Sequence, residues 1–236
     1  MQNFVQETKS YIKKPYHKEY YNFIINFIEK NKIKNIIDIG CASGFFFKYL
    51  PEELNLKCLG YDINIKLIEH AKKINKNKNY KFIKKDLFSK KFKNFKKFSV
   101  KQNLINNDLI TILGTISTIP DYIHALNRVI SLKPKKIIIQ TPLNPDELDV
   151  NISHRKNSSS QYLSAYRIIS VKNILQYFKK KNYKIKLIPY KIKKKIFKDK
   201  NNPTRNYHIT LNNKKILTNG MGCLIHEYII IASKKK

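Results

Sequence analysis

The sequence predicts an α/β fold: a doubly wound, mostly parallel seven-stranded sheet with helices on both faces and an antiparallel hairpin at its C-terminal edge. Three observations predict it. Short apolar runs alternate with segments of helical period through five rounds. A glycine-bearing turn, Gly40-Cys41-Ala42-Ser43-Gly44, joins the first apolar run to a helix, and an acidic residue, Asp62, closes the next run. The last two apolar runs, 183–190 and 224–232, are separated by an insertion instead of a helix, which suggests an antiparallel pair.

Residues 9–32 place Tyr16, Tyr20, Phe23, Ile24, Phe27 and Ile28 at helical spacing, so an amphipathic helix precedes the first strand, 35–39. The next helix starts near Ser43, carries Phe45, Phe46, Phe47, Tyr49 and Leu50, and stops at Pro51. Strand two is 57–61, and helix 63–74 follows with Ile65, Leu67, Ile68 and Ala71 apolar. Strand three, 80–83, leads into Lys84-Lys85-Asp86-Leu87. The lysine-dense segment 90–101 reads as a surface helix or loop. Strand four, 108–113, ends at Gly114-Thr115. Pro120-Asp121 opens a helix to about Leu132, with Asp121 well placed against the positive N-terminal dipole. Strand five, 136–140, ends at Thr141-Pro142, and 142–169 reads as polar, irregular and longer than an ordinary connection. Ser170 is an N-cap for a helix over 171–181. Segment 183–190 alternates as a strand, and 224–232 is the last strand. The insertion 191–222 is basic at first and then marked by Gly220 and Gly222. With no repeat and no boundary in view, 1–236 is expected to form a single domain.

A chain of 236 residues can bury a core without disulfides. Cys41, Cys58 and Cys223 are too few and too scattered for a disulfide framework or a zinc site, so no metal is expected. No apolar stretch approaches the roughly 18 residues of a membrane span. Residues 1–7 lack the basic and apolar segments of a signal peptide, and a reducing, cytoplasmic setting is the expectation. The net charge is +32, from 48 basic and 16 acidic residues. Only Arg128, Arg155, Arg167 and Arg205 are arginines, whereas nucleic-acid surfaces favour arginine for bidentate contacts. The abundance of Lys, Asn and Ile reads in part as base-composition drift, which raises charge everywhere. The remainder predicts attraction to anionic partners and a salt-sensitive encounter.

Strand, glycine turn, helix, strand, carboxylate is the layout of a nucleoside-binding βαβ unit. A nicotinamide-binding domain wants Gly-x-Gly-x-x-Gly, and Ala42 stands where its second glycine would be. Over about residues 30–190 and the last strand, the sequence resembles the class I (Rossmann-like) methyltransferases that use S-adenosyl-L-methionine (SAM) and release S-adenosyl-L-homocysteine (SAH). Asp38-Ile39-Gly40-Cys41-Ala42-Ser43-Gly44 is similar to that family's first motif, although the family more often has glycine where Ala42 stands. Asp62 matches the acidic residue that ends the second strand, and Asp86-Leu87 matches the position that reads the adenine edge. Leu109 to Ile119 with Pro120-Asp121 is similar to the fourth strand and the helix after it. The resemblance implies a cofactor site drawn from Asp38, Gly40, Cys41, Ala42 and Gly44, then Asp62 and Ile63, then Asp86 and Leu87, with Leu113 from strand four.

The residue chemistry suits those assignments. Gly40 brings no Cβ between the backbone and a cofactor. Asp62 can accept from both ribose hydroxyls, and Asp86 from the exocyclic adenine amine. Asp38 can hold the turn or meet a cationic amino-acid group. All sit at strand carboxyl ends, where open α/β sheets bind ligands.

Methyl transfer from a sulfonium is an in-line displacement, so the enzyme mainly aligns the nucleophile, and a hydroxyl acceptor calls for a nearby base. Methylases of exocyclic base nitrogens carry Asn/Asp-Pro-Pro-aromatic after strand four, where this chain reads Leu113-Gly114-Thr115-Ile116. Methylases of pyrimidine carbon use a cysteine near strands four or five, and all three cysteines lie elsewhere. The acceptor side is expected from insertions 142–169 and 191–222 with the N-terminal helix. His208, His154 and Tyr166 are the candidate catalytic residues. Arg155, Arg167, Arg205 and Tyr207 are the candidate substrate-binding ones, suited to a phosphate or carboxylate. His124, inside a helix, reads as structural, and His226 falls in the last strand. The expected reaction methylates a hydroxyl or amine of a small, anionic acceptor: a nucleotide-linked intermediate, a sugar or a surface-polysaccharide component. An RNA methyltransferase using the lysines of 84–101 and 179–200 is one alternative, although no RNA-binding module is visible. A non-catalytic SAM-binding regulatory protein is the other.

Overall fold

The computed structural model describes residues 12, 20–156, 161–190, 206–211, 213–219 and 226–235; at 154–156, 161–165, 190, 206–211, 215–219 and 226 it describes the backbone alone. The first half runs α1 (Tyr20–Lys30), β1 (Asn35–Ile39), α2 (Phe45–Lys48), β2 (Lys57–Asp62), α3 (Ile65–Ile74), β3 (Tyr80–Lys84), α4 (Phe95–Lys101) and β4 (Leu109–Leu113). Then come α5 (Tyr122–Ser131), β5 (Lys136–Asn144), β6 (Val150–Lys156), β7 (Gln161–Ser170), α6 (Val171–Lys180), β8 (Tyr183–Tyr190), β9 (Asn206–Leu211), β10 (Lys214–Asn219) and β11 (His226–Lys234).

The main path of the sheet is β3-β2-β1-β4-β5-β11-β8. β1 pairs in parallel with both β2 and β4, so the strand order reverses at β1, and a crevice opens there beyond the strand ends. β11 runs antiparallel to both β5 and β8. The antiparallel pair at the C-terminal end is thus present, with the last strand slotted inside and β8 at the rim.

Two apolar layers hold the sheet from opposite sides. Ile36, Leu109 and Ile138 point to the face covered by Ile24 and Ile28 of α1, Phe47 of α2 and Ile68 of α3. Ile37, Ile110, Ile137 and Ile139 point the other way, onto Leu126 and Val129 of α5 and Phe178 of α6. Strands covered on both faces have no solvent side, which is why β1, β4 and β5 read as largely apolar runs, their inner polar residues Asp38 and Thr111 bonded to each other. Burying each such isoleucine contributes about 1.5–3 kcal/mol.

Two expectations need correction. Most of the described residues of segment 142–169 are strand. β5 continues through Thr141, Pro142 and Leu143 because β11 pairs with it as far as His226 opposite Leu143. β6 and β7 then form an antiparallel hairpin with Val150 opposite Ile168 and Ile152 opposite Tyr166. The alternation of Val150 and Ile152 was a period-2 signal, masked by the polar residues around it. β7 joins the main sheet at Leu143–Ile169 and packs on the turn Ile116–Thr118, so this insertion borders the ends of β4 and β5. The second insertion also holds a hairpin, β9 with β10, reversing through Asn213 at φ 60°.

The helix after β1 is shorter than expected. Gly44 precedes it in a left-handed conformation, φ 68°, and the helix ends before Pro51. Of the N-terminal helix, the part before Tyr20 lies outside the described residues except position 12.

Candidate active site

The turn after β1 is built from backbone hydrogen bonds. Gly40 and Cys41 both donate to the carbonyl of Tyr61, at 2.8 and 3.0 Å, which ties the turn to β2. Ala42 then donates its N–H to Asp62 Oδ2 at 2.9 Å. Asp62 Oδ1 accepts from Asn64 N at 2.9 Å, and Asn64 Oδ1 caps α3 by accepting from Lys66 N at 3.0 Å. With a further backbone donor at Ile63, these bonds leave part of the carboxylate's acceptor capacity for a ligand hydroxyl. Burial pushes the Asp62 carboxyl up, while the backbone donors at Asn64, Ala42 and Ile63 pull it down; burial wins.

Glycine is required at position 40 for a reason other than the one expected. Gly40 has φ +79°, and a Cβ there would stand 2.0 Å from Thr115 Oγ1. The missing side chain makes room for the loop after β4. Thr115 in turn donates to the Gly40 carbonyl at 3.4 Å and accepts at its own carbonyl from Thr118 Oγ1 at 2.8 Å. Ala42 sits at φ 47°, a strained conformation for a residue with a Cβ.

Asp38 is buried at the end of β1 and accepts from Thr111 Oγ1 at 2.7 Å, across the register that pairs the two residues. Asp86 is exposed and accepts from Phe88 N at 2.9 Å, which shapes the loop after β3. Arg128 of α5 fixes that loop from behind. Its guanidinium donates to the carbonyls of Leu87 at 2.6 Å and Phe92 at 3.1 Å, and lies 4.9 Å from the Phe95 ring. Burial depresses the Arg128 pKa, and Asp86 partly restores it.

A cleft of about 510 Å³ opens at the carboxyl ends of β1 to β4. Of the ten residues expected to hold a cofactor, all but Gly44 line it. Gly44 stands behind the turn, where a Cβ would come within 2.8 Å of the Phe82 ring and 3.0 Å of Ala71. Its smallness serves the packing of helix on strand. Asp38, Asp62, Asp86 and Asp121 face the cleft, four of only 16 acidic residues in a chain of net charge +32. Against a strongly basic background, the cleft gathers negative charge suited to a cationic ligand. Its apolar walls include Tyr21, Phe45, Phe46, Leu87 and Leu113.

The residues expected on the acceptor side are less gathered. Arg167 of β7 lies 5.5 Å from the Tyr122 ring, and its Nε donates to Asn151 Oδ1 at 2.8 Å. It braces the hairpin against α5 and does not line the cleft. Burial first, and Asp149 second, push the Tyr122 phenol up to about 12. Tyr166 is half-buried on β7 opposite Ile152. His154 and Arg155 lie on β6 opposite Ser164 and Tyr162 with a bulge between them, and Tyr207 and His208 lie on β9 opposite Thr218 and Leu217; for these four only the backbone is described. Arg205 lies outside the described residues.

Three residues were missed. Thr115 and Arg128 act through contacts distant in sequence, which no local pattern announces. His124 lines the cleft in the first turn of α5, where its N–H donates to Asp121 Oδ1 at 2.9 Å. A signal existed, since the first turn of a helix after a central strand faces the crevice.

A family model described as a methyltransferase domain matches residues 14–187. No protein of curated function matches the sequence. Among solved structures, the chain resembles the N-terminal domain of EvdMO1 with SAH bound, at 10% identity and TM-score 0.60, over 93% of this chain and 82% of that one. It also resembles an S-adenosylmethionine-dependent methyltransferase from Clostridium acetobutylicum, at 12% identity and TM-score 0.58, over 98% and 97%. Magnesium protoporphyrin IX methyltransferase from Synechocystis with bound SAM gives 12% identity and TM-score 0.54, over 100% and 86%. At such identities the likeness establishes the fold.

Proposed function

The chain belongs to the methyltransferase-domain family, and from that premise we propose that it moves a methyl group from SAM to a hydroxyl or amine of a small, anionic acceptor. The observation that carries the cofactor half is the Asp62 carboxylate. It is held by Ala42 and Asn64 in an acidic cleft, beside a turn tied to the same strand. The residues fit an adenosyl sulfonium: a hydroxyl acceptor at Asp62, an amine acceptor at Asp86, carboxylates for positive charge, and apolar walls for a flat ring.

The bound cofactor supplies an electrophilic methyl group on a cationic sulfur. The chain supplies position and environment. Asp62 orients the ribose, Asp38 with its Thr111 donor holds the amino-acid end, and Tyr21, Phe45 and Phe46 limit water at the wall. His208 and His154 are the proposed bases for an acceptor hydroxyl, with Tyr166 as a positioning hydroxyl. Arg155, Arg167, Arg205 and Tyr207 are the proposed anion-binding set. An acceptor of sugar or nucleotide-linked type draws support from three sources: the two hairpin insertions, the base-methylase motif missing after β4, and a neighbouring structure determined in the presence of SAH and D-fucose.

The test uses purified protein with methyl-labelled SAM and a panel of nucleotide sugars, free sugars, polysaccharide fragments and tRNA. Label transferred to a sugar-bearing or nucleotide-linked acceptor supports the proposal. Label on tRNA alone, or SAH binding with no transfer to any acceptor, overturns the acceptor half.

A further inference from the structure

The charge of the chain is not spread evenly. Residues 76–101 hold 11 lysines against one acidic residue, Asp86, whereas residues 20–75 hold 8 basic against 6 acidic and residues 102–150 hold 4 against 5. Base-composition drift would charge all three stretches alike, so 76–101 has a cause of its own; the rest of the excess lies mainly beyond residue 150. The fold brings this segment to one margin of the molecule. β3 pairs only with β2, so its other side is a rim of the sheet. α4 lies beside it: Phe98 meets the Tyr61 ring of β2 at 6.0 Å, and Lys85, just past β3, stands over the Phe92 and Phe98 rings at 4.2 and 5.3 Å. With Phe92, Phe95 and Phe98 packed onto the core, the lysines of 91–101 face water. A shallow hollow there is lined by Lys93, Lys96, Lys97 and Lys101 with Asn94 and the exposed Val100. Among the described residues, Lys90 is the one lysine of the segment in an ion pair, with Asp121. Lys97 and Lys101 stand four apart on α4, a like-charge spacing that costs helix stability. Lysines on an edge strand ward off stray strand pairing, which accounts for Lys81 and Lys84. The five lysines of 91–101 lie off the sheet and serve no such purpose. The strip ends at the mouth of the cleft, which Lys85 and Lys90 line.

We propose that this strip docks the anionic chain that carries the acceptor, a phosphodiester-linked glycan, and leads its end to the cleft. On the functional reading above, on which this rests, the methylated sugar is one unit of a longer anionic polymer. Ammonium groups are point charges that meet phosphate oxygens without a set geometry, whereas carboxylates favour the arginine fork, and 76–101 has no arginine. RNA readers present aromatic faces on which bases stack, and here Phe92, Phe95 and Phe98 pack inward. A row of exposed lysines with no ring among them suits a repeating charge on a chain without bases.

Fluorescence anisotropy tests this with labelled poly(ribitol phosphate), neutral dextran of matched length and poly(U), each across a salt series. Three proteins are compared: wild type, a strip variant (Lys93→Gln, Lys96→Gln, Lys97→Gln, Lys101→Gln), and a control with four exposed lysines changed elsewhere (Lys30→Gln, Lys57→Gln, Lys66→Gln, Lys72→Gln). Wild type should bind poly(ribitol phosphate) more tightly than poly(U), lose that affinity as salt rises, and ignore dextran. The strip variant should bind about tenfold or more weakly at low salt with a shallower salt slope, whereas the control, of equal net charge, should stay within about threefold of wild type. Thermal melting and SAH titration confirm that both variants keep the fold. Equal losses in the two variants, tighter binding to poly(U), or no preference over dextran overturns the docking strip alone. A wild type that binds no SAH sinks the functional reading beneath it, and the polymer data are read separately from that result.

Discussion

The carboxylate of Asp62 accepts the backbone N–H of Ala42 at 2.9 Å, so the side chain that ends β2 also sets the turn that ends β1. One residue thus sets the architecture and, on the proposed reading, holds the ligand, so replacing it should show in both. Asp62→Ala should weaken SAH binding by about 1.5–3 kcal/mol, the range for hydrogen bonds to a charged group. Calorimetry with SAH measures it, and an affinity equal to wild type would remove Asp62 from the site.

The same residue sets a pH dependence. Burial raises the Asp62 pKa above its ordinary value of 3.8. The folded protein therefore holds this proton at a pH where the unfolded chain has lost it. In the window between the two pKa values, the contribution of Asp62 to stability rises as pH falls, and it is least favourable once the group is ionised in both states. Ligand binding runs the other way, since a protonated carboxyl loses acceptor capacity. SAH affinity should decline on acidification, starting above pH 3.8. Asp62→Asn should bind weakly and show neither trend. Denaturation and calorimetry across the acidic range, wild type against Asp62→Asn, give the comparison.

Gly40 and Ala42 should respond in opposite directions. Gly40→Ala places a methyl 2.0 Å from Thr115 Oγ1 at φ +79°, so overpacking adds to backbone strain. The expected loss is about 2–4 kcal/mol. Adding Thr115→Ala should restore part of it, because the two closest atoms are removed. Ala42→Gly relieves a left-handed alanine and should leave stability unchanged or raise it by up to about 1 kcal/mol. Urea denaturation of the four proteins decides both points.

Arg128 holds the Leu87 and Phe92 carbonyls with separate nitrogens. Arg128→Lys keeps the charge and loses the fork, so it should behave nearly as badly as Arg128→Ala. Both should raise the KM for SAM several-fold while kcat changes little, because the loop beside Asp86 loosens and the reacting atoms are untouched. Full retention of KM in the lysine variant would show that charge alone suffices.

The acceptor-side proposal has its own signature. His208→Ala or His154→Ala should slow turnover at saturating SAM and leave SAH affinity within about twofold of wild type. Whichever variant loses the rise of kcat with pH identifies the base. A fall in SAH affinity of the same size as the fall in kcat would assign that histidine to folding or to the cofactor site.

The residues proposed to hold the cofactor were legible as a strand-end cluster because their placement is local. Asp38 to Gly44, Asp62 and Asp86-Leu87 each sit within a few residues of a strand end, and strand ends follow from apolar runs and turns. The β6–β7 hairpin was not legible. Its pairing rests on partners as far apart as Val150 and Ile168, and a polar run interrupts the alternation that would have marked it.

Taken alone, the order of residues determined the strands of the main sheet, the glycine turn after β1, and the carboxylates at the strand ends that border the cleft. Only the folded chain decided that Gly40 is glycine for the sake of Thr115, that Arg128 anchors the loop of Asp86, and that His124 faces the cleft. The physical reason is range. Turn geometry and apolar period act between near neighbours, whereas contacts across 36 to 75 positions exist only once the sheet has brought those segments together.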